Sequence, residues 1–115
     1  MTKTVQPNRL ETMEKTVSRF FNMLNSHCPG NVVPLLTTDV EIQADETTVG
    51  QEAANAFFLR LWEAYPCITF VATNMIVGET GVAAEVSYTA GPNGKGARCM
   101  VFSFRDDLIR RVRCY

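Results

Sequence analysis

The chain has almost no charge imbalance, its 11 Lys and Arg against 12 Asp and Glu leaving a net −1. Nucleic acid and anionic membranes favour a basic face, so neither partner is expected. Long apolar runs are also missing, and none nears the roughly 18 residues that a membrane-spanning helix needs. The stretch Met1-Thr2-Lys3-Thr4-Val5-Gln6-Pro7 has no apolar secretion core. It points to a cytoplasmic address, with residues 1–7 as a flexible leader. Histidine occurs once, as His27, and Cys28, Cys67, Cys99 and Cys114 form no CxxC pair. Structural zinc needs ligands close enough for one loop to present two together, so neither a metal nor a cofactor is expected. Three of the four cysteines lie in apolar, strand-like contexts and are expected as reduced, buried thiols.

What is present is a globular composition, 46% hydrophobic over 115 residues. One domain with one core, spanning 1–115, follows from that length. Leu10, Met13, Val17, Phe20 or Phe21 and Leu24 recur at alternating spacings of three and four. They predict an amphipathic helix with Asn8 as its N-cap. Ser26-His27-Cys28-Pro29-Gly30 should end it, since Pro cannot continue a helix and Gly tolerates the turn. A short helical stretch is expected over Val32–Leu36, closed by Thr37-Thr38. Val40, Ile42 and Ala44 alternate with Asp39, Glu41 and Gln43 as in a half-buried strand. Asp45-Glu46-Thr47-Thr48 reads as a polar loop. Gly50 to Tyr65 carries a wide apolar helical face that Pro66 stops.

Four strands should follow, over Cys67–Val77, Val82–Ala90, Ala97–Arg105 and Leu108–Tyr115. The turn clusters Gly78–Gly81, Gly91–Gly96 and Asp106-Asp107 separate them. Helices followed by a meander give an α+β fold.

The order of these segments resembles the nuclear transport factor 2-like superfamily, in its polyketide-cyclase-like and ketosteroid-isomerase-like branch. The matching stretches are Phe20–Asn25, Leu35–Ile42, Gly50–Ala54 with Phe57-Phe58, and the closing hairpin Phe102–Arg113. The resemblance implies a cone-shaped barrel, its N-terminal helices packed on a strongly curved, mainly antiparallel sheet. It also implies an apolar cavity under the helices and a homodimer formed through the sheet face. In the steroid isomerases a tyrosine donates to a developing oxyanion from the position that Phe20 holds here. Their general-base aspartate corresponds to Ala44, and a second acid corresponds to Met100, near which the polyketide cyclases also keep an acid. All three positions are apolar in this chain, which removes the usual proton-transfer groups.

Strand alternation places Arg98, Met100, Phe102 and Phe104 on one face with Val82, Ala84, Val86 and Tyr88. Tyr88 should then lie opposite Arg98 or Met100. A guanidinium and a phenol at one end of an apolar cavity can hold a carboxylate; the alternative is an Arg98 that snorkels into water. Asn74 either faces a ligand or satisfies a bulge in a bent strand. His27 is expected in an exposed turn after the first helix. Arg110, Arg111 and Arg113 read as a solvated or dimer-interface surface, offset by Asp106, Asp107 and Glu85.

The leading expectation is therefore a protein binding a hydrophobic or amphipathic small molecule. Phe20, Phe57, Trp62, Val86, Tyr88, Met100 and Phe102 would form the walls, and Tyr88 and Arg98 would fix orientation. The alternatives are an isomerase, cyclase or hydrolase using Asp45, Asn74, Tyr88 and Arg98, and a non-catalytic association module.

Overall fold

The computed structural model describes residues 5–92 and 94–115. Residues 1–4 of the expected leader lie outside it, whereas residues 5–7 already belong to the first helix, α1 (Val5–Asn25). Asn8 is therefore inside α1 rather than its cap. Pro7 permits this, because proline is tolerated in the first turn of a helix, where its missing N–H is not needed. The apolar stripe is buried as its spacing requires: Met13, Val17, Phe20, Phe21 and Leu24 are all in the core. Phe20 and Phe21 are both buried, so the stripe is wider than one line of residues.

The turn that ends α1 is made by His27, at φ 57°, and not by Gly30, which sits in the short helix α2 (Pro29–Val32). Left-handed backbone is unusual without glycine, and histidine is among the residues that adopt it most often. His27 is also held in place from elsewhere. Its Nε2–H donates to the Ile68 carbonyl at 2.7 Å, and its ring stacks on Trp62 at 5.5 Å. It is half-buried, not the exposed turn residue expected. A 3₁₀ turn over Val33–Leu35 follows, so the expected short helix lies a little earlier than read. Thr37 and Thr38 open the first strand instead of closing that helix.

Strand β1 (Leu36–Gln43) buries Val40 and Ile42 on alternate positions. The expected loop then contains a three-residue strand, β2 (Thr47–Val49), paired antiparallel to β1 through Ile42 and Thr48. Gly50, at φ 95°, makes a turn that other residues rarely adopt, and its N–H donates to the Val40 carbonyl at 2.7 Å. Helix α3 (Gln51–Ala64) starts there and stops before Pro66, burying Ala54, Phe58 and Trp62.

The four later strands are β3 (Thr69–Val77), β4 (Gly81–Thr89), β5 (Lys95–Arg105) and β6 (Leu108–Cys114). The sheet order is β2-β1-β6-β5-β4-β3, antiparallel except where β1 runs parallel to β6. This is an α+β fold with a curved sheet that stays open. Strands β2 and β3 remain as its edges. Register shifts interrupt the β1–β6, β3–β4 and β5–β6 ladders, and such bulges bend and twist strands locally.

The core lies between α1, α3 and the inner face of the sheet. Phe20 is at its centre, edge-on to Phe102 at 5.2 Å, Phe21 at 5.3 Å and Phe58 at 6.1 Å. The outer face is partly tied by charge: Arg105 grips Asp39 through two 3.0 Å bonds, and Arg111 bonds Glu41 at 3.2 Å. Arg113 donates to Gln43 at 3.1 Å. Of Arg110, Arg111 and Arg113, expected to be offset by Asp106, Asp107 and Glu85, Arg111 is offset by Glu41 of β1. Cys28, Cys67 and Cys99 are exposed and Cys114 is half-buried, so the cysteines are free but not the buried set expected. Cys99 alternates onto the outer face of β5, and Cys67 lies in the turn before β3.

Candidate functional site

A cavity of about 480 Å³ opens between α3, the end of α1 and the inner face of the sheet. That volume is within the range of small-molecule pockets. Phe20 and Leu24 of α1, Phe57, Phe58 and Leu61 of α3, and Ile42, Val86, Met100 and Val112 of the sheet supply apolar wall. One face of β3–β4 is formed by Phe70 and Tyr88, whose rings stack at 6.3 Å. Tyr88 pairs with Gly96, two residues from the position expected, and Arg98 pairs with Val86. The missing Gly96 side chain leaves room for the phenol: a Cβ there would run into the Tyr88 hydroxyl and ring.

Phe20, Ala44 and Met100, the three positions where the resembled enzymes carry polar groups, all line this cavity. Asp45 lines it too. Strict alternation would have sent Asp45 outward, but β1 ends at Gln43, and the chain bends through Ala44 and Asp45 so that both reach the cavity.

Of the expected lining set, Phe20, Phe57, Val86, Tyr88, Arg98 and Met100 are at the cavity surface. Trp62 and Phe102 are not among the lining residues. Phe102 is wholly buried between Phe20 and Phe21, and Trp62 lies between Phe58 and His27. Asn74 is away from the cavity on the outer face, donating to Glu85 Oε1 at 3.2 Å beside the bulge at Thr73. At the bulge itself it is Thr73 that bonds backbone, its Oγ1 donating to the Glu85 carbonyl at 3.1 Å.

Lys95, Tyr65 and Cys114 also line the cavity and were not anticipated. Lys95 was absorbed into the turn cluster, although its strand begins there. Cys114 could have been found by parity, two residues beyond the inward Val112. Burial pushes the Cys114 thiol up; the Arg98 charge works against this and Asp45 adds to it. A neutral thiol is a poor nucleophile. Among the described residues no cluster of His, Cys, Asp and Glu could hold a metal ion, and no helix is long and apolar enough to cross a membrane.

Residues 17–112 match the family profile of the SnoaL-like domain. The chain belongs to that family. Solved structures agree with the assignment at the level of the fold. Bal32a, from a soil-derived mobile gene cassette, superposes on this SnoaL-like domain with a TM-score of 0.85 at 19% identity, covering 93% of this chain and 90% of that one. A nuclear transport factor 2-like protein from Anabaena variabilis ATCC 29413 gives 0.81 at 23% identity, covering 100% and 92%. A candidate ketosteroid isomerase from Kribbella flavida DSM 17836 gives 0.80 at 20% identity, covering 91% and 77%. No curated protein matches the chain. The family includes small-molecule binders, isomerases and cyclases. Within this SnoaL-like domain the cavity's chemistry is left to Asp45, Tyr65, Tyr88, Lys95, Arg98 and Cys114.

Proposed function

We propose that this SnoaL-like domain, read as one folding unit over 1–115, binds a hydrophobic or amphipathic small molecule in the cavity. The observation that carries this reading is a pocket of about 480 Å³ with apolar residues at Phe20, Ala44 and Met100. Phe20, Phe57, Val86 and Met100 act as walls, with Trp62 and Phe102 packed behind them. Tyr88 and Arg98 orient the ligand. Affinity then comes mainly from buried apolar area, with a few polar groups setting specificity. The test is the melting temperature against a mixed library of hydrophobic small molecules. A binder raises it by mass action; a flat response across the library would sink the reading.

A second reading is supported by one observation, the presence of Asp45 in the cavity beside Ala44. In it the protein is an isomerase, cyclase or hydrolase with Asp45 as its proton-transfer group, aided by Tyr88 and Arg98. Turnover of a cavity ligand that Asp45→Asn abolishes, with binding retained, distinguishes this reading from simple binding.

The outer sheet face supports association with a second copy. Val71, Ile76 and Tyr115 are exposed there and together present apolar surface. Sedimentation equilibrium should give a dimer that Val71→Lys weakens. A monomer at all concentrations would remove this part of the proposal.

A further inference from the structure

We propose that the cavity takes an amphiphile with a singly anionic head, a carboxylate above all, held at the mouth by Arg98 and Lys95 with its apolar body inward. This rests on the small-molecule reading above and specifies its ligand.

Strand register brings the charged lining residues to one end. Strand β6 stops at Cys114, which pairs with Met100. The β4–β5 hairpin runs on past it, through Val86 opposite Arg98 and Thr89 opposite Lys95. On the other flank Gln43 pairs with Arg113, so Ala44 and Asp45 follow at the level of Cys114 and just beyond. Arg98 and Asp45 therefore stand on either side of the Cys114 thiol, which responds to the charge of both. The far end of the cavity, around Phe20 and Leu24, is apolar.

The arginines of the sheet divide by face. Arg105, Arg111 and Arg113, on the outer face, each reach an acceptor on β1. Arg98 lines the cavity, and neither it nor Lys95 or Asp45 forms an ion pair among the described residues. The Tyr88 hydroxyl has no hydrogen-bond partner among them either. The mouth thus offers the Arg98 guanidinium and a phenol donor, with the positive charge of Lys95 at its rim, against one carboxylate. Arg presents paired N–H donors that match a carboxylate edge, and charge-assisted bonds are about twice as strong as neutral ones. Two cations less one anion leave a single positive charge, which a monoanion balances. A second negative charge on the ligand would meet Asp45.

Two matched fluorescent probes test this on the intact chain: 1-pyrenebutyrate and 1-pyrenebutanol share the apolar body and differ in the head. At about 20 mM salt the carboxylate should bind about tenfold more tightly than the alcohol, and at about 500 mM salt that preference should shrink. The double variant Arg98→Met/Lys95→Met should bring the two probes to near parity, chiefly by weakening the carboxylate. Both side chains are exposed, so the variant should fold, as circular dichroism would check. Asp45→Asn supplies an independent readout by raising the preference for the carboxylate. Equal binding of the two probes by the unmodified protein, or a preference that the double variant leaves unchanged, overturns the anionic head and leaves the cavity reading standing. If neither probe binds, both fall.

Discussion

Asn25 closes part of the sheet's free edge by presenting its side-chain amide to Phe70 as a neighbouring strand would. Its Nδ2 donates to the Phe70 carbonyl at 2.8 Å, and the Phe70 N–H donates to its Oδ1 at 2.8 Å. The last turn of α1 is thereby fastened to the start of β3, where Phe70 stacks on Tyr88 to form one cavity wall. An unpaired edge strand is otherwise a template for association. Asn25→Ala leaves both backbone groups of Phe70 without partners. It should destabilise the protein by about 1–3 kcal/mol, seen in urea unfolding as a lower midpoint at constant slope. Asn25→Asp keeps the acceptor and should lose less. An unchanged midpoint for Asn25→Ala would mean that the clamp contributes nothing.

Two glycines on facing strands should respond differently to the same added methyl. A Cβ on Gly81 would meet the backbone carbonyl of Phe102, which the β4–β5 ladder holds in place. A Cβ on Gly96 would meet the far end of the Tyr88 side chain, which can swing away. Gly81→Ala should therefore lower stability by at least about 1–3 kcal/mol. Gly96→Ala should lower it less, while displacing Tyr88 and altering probe binding in the cavity. Thermal melts of the two variants rank them, and the reverse order would contradict this account.

The ion pair between Asp39 and Arg105 should be legible in acid unfolding. Hydrogen bonds from Arg105 hold the Asp39 carboxyl down from 3.8 to about 2. A carboxylate depressed in the folded state stabilises it above the unfolded value, and that stabilisation is lost as pH falls from about 3.8 to about 2. Arg105→Gln should flatten this segment of the stability curve and leave the slope above pH 5 alone. The effect is small, because the two side chains are 49% and 55% exposed and water screens them. Matching stability–pH profiles for variant and parent would rule the pair out as a contributor.

Elements long enough to show a period were readable from residue order, and so was the inner face of the sheet. Met13, Val17 and Leu24 recur at helical spacing, and Met100, Phe102 and Phe104 alternate on an 11-residue strand. Strand β2 was not readable, since three residues carry no period and its pairing partner is β1. The Tyr88 partner depended on how many residues the Gly91–Gly96 turn uses, and the hairpin closes at Thr89 and Lys95. Asp45 was hidden because alternation holds only while a strand continues, and β1 stops two residues short of it. The turn after α1 was legible across Ser26–Gly30, but composition pointed to Gly30 as its permissive residue, whereas contacts distant in sequence, to Trp62 and Ile68, let His27 take the left-handed conformation.

Cys114 provides a reporter inside the cavity. Cys28, Cys67 and Cys99 are exposed, whereas burial raises the Cys114 thiol above its ordinary range. The thiolate is the reactive form, and its fraction falls tenfold for each unit of increase. At neutral pH a disulfide reagent should therefore modify three thiols rapidly and Cys114 more slowly. The triple variant Cys28→Ser/Cys67→Ser/Cys99→Ser isolates the slow phase. The signs of the neighbouring charges then follow. Asp45→Asn removes a charge that raises the thiol and should speed the reaction, whereas Arg98→Met removes one that lowers it and should slow it. An occupant of the cavity should protect Cys114 without affecting the other three. Four thiols reacting at one rate would place Cys114 in open solvent and undercut the enclosed site.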